Sequence, residues 1–192
     1  MLPCEDLKTK WVANWRPDFI GTLVFLVCQS EILLIRKKTG HGRGQINVPG
    51  GKIEPGETAQ QCAIREMREE VGIYVRDPDL CAEVRFVDLV GPQWLGFAFL
   101  AQDYEGELQE TLEALPFWCQ LEAIPYNEMW ESDKYWFPKV LNKCGQTNKE
   151  PFMLDVLSGR EGLLDVNFYC FGPLTLKCRC TPREQNANRN LG

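Results

Sequence analysis

The most chemically suggestive residues of this chain are four glutamates and an arginine between positions 57 and 70: Glu57, Arg65, Glu66, Glu69 and Glu70. Glu66 and Glu70 are four residues apart, so in a helix their carboxylates stack on one side. Glu69 lies one step round from them. Like charges at this spacing repel, and neither Glu66 nor Glu70 has a basic residue four positions away. Something must therefore compensate their charge.

A divalent cation is one such compensation. Clustered carboxylate oxygens suit Mg²⁺, with Mn²⁺ as the alternative, and Mg²⁺ commonly binds through one or two carboxylates plus substrate phosphates. The other interpretation is a solvated acidic helix face. Arg65 precedes Glu69 by four residues, which predicts a salt bridge, and Glu57 is a second candidate partner for it.

Local signals predict the helix that carries these residues. Thr58 and Gln61 form a capping box, so we expect the helix to begin at Ala59. Gly72 is well placed to end it. An apolar face recurs at three- and four-residue spacing and is formed by Ala59, Cys62, Ala63 and Met67.

The segment as a whole fits one signature, G-x5-E-x7-R-E-U-x-E-E-x-G-U, where U is a bulky apolar residue. The matching positions are Gly51, Glu57, Arg65, Glu66, Met67, Glu69, Glu70, Gly72 and Ile73. This signature is the Nudix box, and the chain resembles the Nudix hydrolases. A chance match to its fixed letters occurs roughly once in 10⁸ windows, so the match favours the metal over the solvated face.

The remaining pattern is mixed α/β. We predict strands at residues 19–28, 31–36, 82–90, 93–101, 116–121, 151–157 and 163–169, and a second helix at 134–142. A glycine-rich stretch, 39–45, is predicted to be a flexible loop. The pattern matches the α/β/α sandwich with a mixed sheet that the Nudix resemblance implies. We expect one domain over 1–169, including a short extension at 1–14, and a tail of unknown role at 170–192.

Three further segments resemble one branch, the MutT-homologue triphosphatases that sanitise oxidised purine nucleotides such as 8-oxo-dGTP. They are residues 47–52, Glu113 with 116–118, and 124–138. The resemblance implies that Glu66 and Glu70 hold Mg²⁺, with help from Glu69 and the Gly50 carbonyl. Either Glu69 or Glu113 would activate water. Arg65 would brace Glu57 and Glu69.

The same resemblance implies a base pocket. Asn47 would hydrogen-bond the purine, Trp130 would stack on it and Asp133 would bond its edge. These choices are chemically sensible, because an amide offers both donor and acceptor and an indole offers a broad stacking face. The other expected pocket residues are Lys37, His41, Trp94 and Ser132. Ser132 stands where the animal enzymes have a second acid, so we expect narrower purine selectivity.

The implied reaction is Mg²⁺-dependent hydrolysis of a purine nucleoside triphosphate to the monophosphate and pyrophosphate. Two alternatives stay open. One is a Nudix pyrophosphatase acting on ADP-ribose or capped RNA, and the other is a module that senses nucleotides without turnover. The basic patch at residues 36–38 is either a substrate contact or a solvated strand end.

Composition narrows the class of protein. A net charge of −6 over 192 residues argues against a nucleic-acid polymer as partner. The longest nearly apolar run, 19–28, is too short to span a membrane, and the first residues lack a signal-peptide pattern. Nine cysteines at irregular spacing predict reduced thiols in a cytoplasmic protein. We also expect the protein to be a monomer. Cys178 and Cys180 are candidates for a zinc or redox role.

Overall fold

The computed structural model describes residues 15–146 and 150–170. The extension at 1–14 and the tail after Cys170, which holds Cys178 and Cys180, lie outside the described residues. The described strands are β1 (Phe19–Cys28), β2 (Glu31–Lys37), β3 (Ile46–Asn47), β4 (Tyr74–Val75), β5 (Asp79–Asp88), β6 (Trp94–Ala101), β7 (Tyr104–Glu105), β8 (Ala114–Gln120), β9 (Phe152–Gly159) and β10 (Gly162–Cys170). The described α-helices are α1 (Ala59–Val71) and α2 (Asp133–Leu141), and short 3-10 helices lie at Leu121–Ala123 and Tyr126–Glu128.

One large mixed sheet dominates the described residues. Its order is β10-β9-β5-β6-β1-β2-β3, and β8 also pairs with β2. The β1–β6 and β5–β9 pairs are parallel, whereas the other pairs in this sheet are antiparallel. A separate ribbon joins β4 to β7. The predicted mixed sheet is therefore confirmed.

The two helices cover opposite faces of this sheet. Side chains alternate along β1, so Val24 and Leu26 pack in one core cluster with Met67 of α1. Phe25 and Val27 enter the other cluster, which contains Trp136 of α2. Full burial of one such apolar side chain stabilises the fold by about 1.5–3 kcal/mol. The predicted α/β/α sandwich is confirmed, and its two cores hold the helices in place.

Helix α1 begins and ends where its local signals predict. The Thr58 hydroxyl accepts a hydrogen bond from the Gln61 amide at 3.2 Å, and the Gln61 side chain accepts one from the Thr58 amide at 2.8 Å. Gly72 adopts a left-handed conformation with φ of 79° and closes the helix. These caps satisfy backbone groups that have no partner inside the helix.

The predicted element bounds needed small corrections. Strand β5 runs from Asp79 to Asp88, so it starts three residues before the predicted 82–90 and ends two residues before it. Strands β3, β4 and β7 were not predicted. Each has only two residues, which is too short to display an alternating pattern.

Two other expectations concern the wider class of protein. Within residues 15–146 and 150–170, no helix is long and apolar enough to cross a membrane. The cysteine side chains that the structure describes are thiols and not disulfides, at Cys28, Cys62, Cys81, Cys119 and Cys144. This agrees with the reduced cysteines predicted from their spacing.

Candidate active site

Arg65 is the centre of an ion-pair network on α1. Its Nε and Nη2 atoms donate to the two carboxylate oxygens of Glu57 at 2.9 and 3.0 Å. Its Nη1 atom donates to Glu66 Oε1 and to Glu69 Oε2, both at 2.8 Å. The bond from Arg65 is the main cause of the lowered pKa of Glu57, and the pKa of Arg65 is itself raised. The arginine thus fixes three glutamates of the signature at once.

The carboxylates of Glu66 and Glu70 converge on the two glycines that precede α1. The Gly50 amide donates to Glu70 Oε2 at 2.9 Å. A Cβ at Gly51 would lie 2.3 Å from Glu66 Oε1, so a side chain there would collide with this carboxylate. Gly50 has a φ of 153°, and a Cβ on it would lie 2.0 Å from the Thr22 carbonyl oxygen. Glycine at 51 lets the backbone approach Glu66, and glycine at 50 lets it pass against β1 while its amide reaches Glu70.

Glu70 is paired with a residue from the sheet. Lys37 Nζ, on β2, lies 3.3 Å from Glu70 Oε1, and the Glu70 side chain is only 2% exposed. Burial raises the pKa of Glu70, while the Lys37 charge and the Gly50 amide act in the opposite direction. Burial also raises the pKa of Glu66, against the effect of Arg65. The compensating charges that the sequence required are thus Lys37 and Arg65.

The donor set suits a hard divalent cation. The carboxylates of Glu66 and Glu70 both lie against the Gly50–Gly51 backbone, and carboxylate oxygens are ligands that Mg²⁺ and Mn²⁺ prefer. Arg65 Nη1 binds Glu69 as well as Glu66, but the Glu69 side chain is 58% exposed. Among the described residues, no three His, Cys, Asp or Glu side chains stand together in an arrangement that would hold a metal ion. The fit therefore rests on Glu66, Glu70 and the backbone.

A cavity of about 490 Å³ opens directly beside these glycines. Gly50 and Gly51 form one part of its wall, and Gly162 and Leu163 of β10 form another. The cavity therefore reaches from the signature to the edge of the sheet at β10. Every residue expected in the base pocket lines it: Lys37, His41, Asn47, Trp94, Trp130, Ser132 and Asp133. Segments far apart in the sequence thus meet around one volume of the size of a small-molecule site.

Three aromatic rings stack in this cavity. The His41 imidazole is 5.6 Å from the Trp94 ring, centroid to centroid, with an interplanar angle of 22°. It is 5.1 Å from the Trp130 ring with an angle of 15°. Both separations lie within the range of stacked aromatic pairs.

Asp133 supplies a buried acid to the cavity wall. Its Oδ1 accepts hydrogen bonds from Trp136 Nε1 at 3.1 Å and from the Ser132 hydroxyl at 3.5 Å. Its Oδ2 and the Nε1 of Trp94 are buried with no hydrogen-bond partner among the described residues. Burial raises the pKa of Asp133 to about 7. An unpaired polar atom in such a place is costly unless a ligand satisfies it.

The remaining predicted site residues occupy less enclosed positions. The Asn47 side-chain oxygen accepts a hydrogen bond from the Val48 amide at 2.8 Å. Glu113 is exposed immediately before β8 and does not line the cavity, although its charge contributes to the raised pKa of Glu70. Glu69 does not line the cavity either, and lies on the outer side of α1.

Sequence reasoning missed several residues of the wall. Lys52 lies within the signature, and its ammonium sits 3.7 Å from the centroid of the Phe19 ring. Phe86 and Asp88, both on β5, also line the cavity. Only their position on the strand next to β6 could have indicated this, since neither belongs to a motif.

This chain is similar to known proteins in sequence and in fold. The NUDIX domain model matches residues 18–140. The oxidized purine nucleoside triphosphate hydrolase of Danio rerio is 40% identical over 124 residues, which cover 64% of this chain and 79% of that relative. The 8-oxo-dGDP phosphatase NUDT18 of Homo sapiens is 36% identical over 96 residues, 50% of this chain and 28% of that relative. The crystal structure of the mutator MutT protein from Bacillus halodurans has a TM-score of 0.67 at 26% identity, over 78% of this chain and 97% of that one.

Proposed function

Since this chain belongs to the NUDIX family and is a Nudix hydrolase, we propose that it hydrolyses oxidised purine nucleoside triphosphates such as 8-oxo-dGTP. The products are the nucleoside monophosphate and pyrophosphate. The observation that carries this proposal is the single cavity that joins Gly50 and Gly51 to two tryptophans and a buried acid. Phosphates and base of one nucleotide would occupy its two ends.

Divalent metal ions are generally used by Nudix hydrolases, and here the proposed ion is Mg²⁺, with Mn²⁺ as the alternative. Glu66, Glu70 and the Gly50 carbonyl are the proposed ligands, and Glu69 is a further candidate. A bound Mg²⁺ would screen phosphate charge and lower the pKa of a bound water. Arg65 keeps Glu57, Glu66 and Glu69 in fixed positions and does not contact substrate in this proposal.

The reaction itself is an in-line attack of water on the α- or β-phosphorus, which breaks the bridging P–O bond between them and releases monophosphate and pyrophosphate. Either Glu69 or Glu113 takes the proton of that water in this proposal. Glu69 shares the Nη1 atom of Arg65 with Glu66, whereas Glu113 precedes β8 and its charge acts on Glu70. Lys37 and Lys52 line the cavity and carry positive charge, which suits the phosphate chain of the substrate.

The base end of the cavity suits an oxidised purine. Trp130 and Trp94 offer stacking faces, and Asn47 offers an amide. Because the pKa of Asp133 is about 7, this acid presents a donor when protonated and an acceptor when ionised. Ser132 stands where the animal enzymes have a second acid. With Asp133 as the remaining acid of that pair, the pocket should favour purines with one hydrogen-bonding pattern.

The thiol state of the described cysteines suits a reducing compartment, so the proposal places the enzyme with the cytoplasmic nucleotide pool.

The activity is tested by incubating the purified protein and Mg²⁺ with 8-oxo-dGTP, 8-oxo-dGDP, ADP-ribose and NAD-capped RNA. We expect 8-oxo-dGTP to give monophosphate and pyrophosphate. Preferred cleavage of ADP-ribose or capped RNA would point to the alternative Nudix class, and binding without turnover would point to a sensor.

A further inference from the structure

His41 occupies the stacking faces that the base would need. Its imidazole stacks on Trp94 at 5.6 Å and on Trp130 at 5.1 Å, with both indole planes nearly parallel to it. A base that stacks on the same faces of these indoles must take the place of the imidazole, because each face accepts one partner at that distance.

Stacking alone holds this imidazole. Among the described residues, the His41 side chain makes ring contacts but no hydrogen bond or salt bridge. The residue is exposed on the loop between β2 and β3, and it does not belong to either core cluster. Because it is exposed and lies outside both cores, the His41 side chain can swing into solvent without unpacking them. The next residue, Gly42, lies close to Trp130, and a Cβ on it would be 3.3 Å from that ring.

The charges around His41 favour its neutral form. Burial is the largest cause of its lowered pKa, and Lys37 and Lys52 lower it further, whereas Asp88 raises it. Asp133 lines the same cavity. The stack therefore consists of neutral rings near neutral pH, with no ion pair to be broken when the imidazole leaves.

We propose that His41 is a displaceable occupant of the purine site, which the incoming base replaces on Trp94 and Trp130. This rests on the proposed function, which assigns the site to a purine. The apparent Kd for a base is then the intrinsic Kd divided by the fraction of protein in which the imidazole has left the indoles. Because this fraction is a property of the free protein, His41 weakens the binding of every base by the same factor.

The test is equilibrium binding of two nucleotides that the enzyme does not cleave, 8-oxo-dGMP and dGMP, measured by titration calorimetry. His41→Ala should lower the Kd of both by about five- to tenfold, and their ratio should stay unchanged. His41→Phe keeps an aromatic ring on the indoles and should bind no more tightly than the parent. Thr39→Ala, an exposed neutral change on the same loop, should match the parent.

The other outcomes overturn the proposal in distinct ways. A higher Kd in His41→Ala would mean that the imidazole is a wall that contacts the base. An unchanged Kd would mean that the imidazole does not compete. If the parent binds and only the effect of His41→Ala is missing, the proposed function survives. If neither nucleotide binds the parent or His41→Ala, both proposals fail.

Discussion

Lys37 Nζ lies 3.3 Å from Glu70 Oε1, and the same lysine lines the cavity beside His41 and Asn47. One ammonium group therefore links the carboxylate proposed to hold the metal with the pocket proposed to hold the base. Glu70 is 1% exposed, so its charge is compensated by this lysine and by the Gly50 amide and not by water. Any cation that binds Glu70 must share it with Lys37 or replace it.

Removing Lys37 should destabilise the protein when no metal is present. Lys37→Met leaves a buried carboxylate without its counter-ion, which costs about 3 to 5 kcal/mol of unfolding free energy. Added Mg²⁺ or Mn²⁺ should then stabilise this variant more than it stabilises the parent, because the cation restores the missing charge. Urea unfolding with chelator and with metal measures both effects.

Lys38→Met is the matched control. Lys38 pairs with Glu110 and also donates to the Thr111 carbonyl at 2.6 Å, but both charged side chains are exposed, so this change should alter the free energy of unfolding by only about 1 kcal/mol. Equal losses in the two variants would show that the pair with Glu70 has no special role.

Glu70→Gln should keep the fold and abolish most turnover. The amide oxygen still accepts from the Gly50 amide, while a charged ligand is lost from the proposed metal site. Since metal stabilisation of the transition state contributes several kcal/mol, kcat should fall by about a hundredfold or more. A variant with the melting temperature of the parent and at least half its kcat would rule out this role for Glu70.

Trp130→Ala should weaken purine binding. Base stacking on an aromatic side chain contributes about 1–3 kcal/mol, and the simultaneous loss of the His41 stack offsets part of it, so KM should rise about fivefold or more. Tyr135→Ala is the control, because Tyr135 is exposed and does not line the cavity. If KM for the best purine substrate changes less than twofold in Trp130→Ala, the base binds elsewhere.

Asp133 should make the stability of the protein depend on pH. Burial raises its folded-state pKa to about 7, above that of an unfolded carboxyl group. The protonated form is therefore favoured by folding, and this contribution is present below about pH 4 and lost as the pH rises through 7. Asp133→Asn mimics the neutral acid, so its stability relative to the parent should rise by about 2 kcal/mol between pH 5 and pH 8. Urea unfolding at the two pH values measures this, and an equal difference at both would refute it.

What the sequence predicted well depends on local interactions. The bounds of α1 follow from Thr58, Gln61 and Gly72, whose contacts lie within a few residues. The ion pair between Arg65 and Glu69 follows from helix spacing. Both kinds of contact are determined by covalent geometry and hydrogen bonding within one helix, so a motif is enough to predict them.

Contacts across the sheet escaped prediction. The partner of Glu70 is 33 residues away on β2, and no local pattern links it to α1. The stack of His41 on two tryptophans depends on a loop and two distant segments that meet only after folding. The resemblance to known enzymes indicated that these residues share a pocket, but their contacts depend on packing that a sequence motif does not encode.

The most direct test of the central claim is the ratio of kcat/KM for 8-oxo-dGTP to kcat/KM for dGTP, measured on the purified protein with Mg²⁺. The cavity, with its stacking rings and its acid of raised pKa, predicts that the oxidised nucleotide is preferred by about tenfold or more, since one satisfied hydrogen bond to a buried polar group contributes about 1–3 kcal/mol. A ratio at or below one would contradict the claim that this pocket reads an oxidised purine.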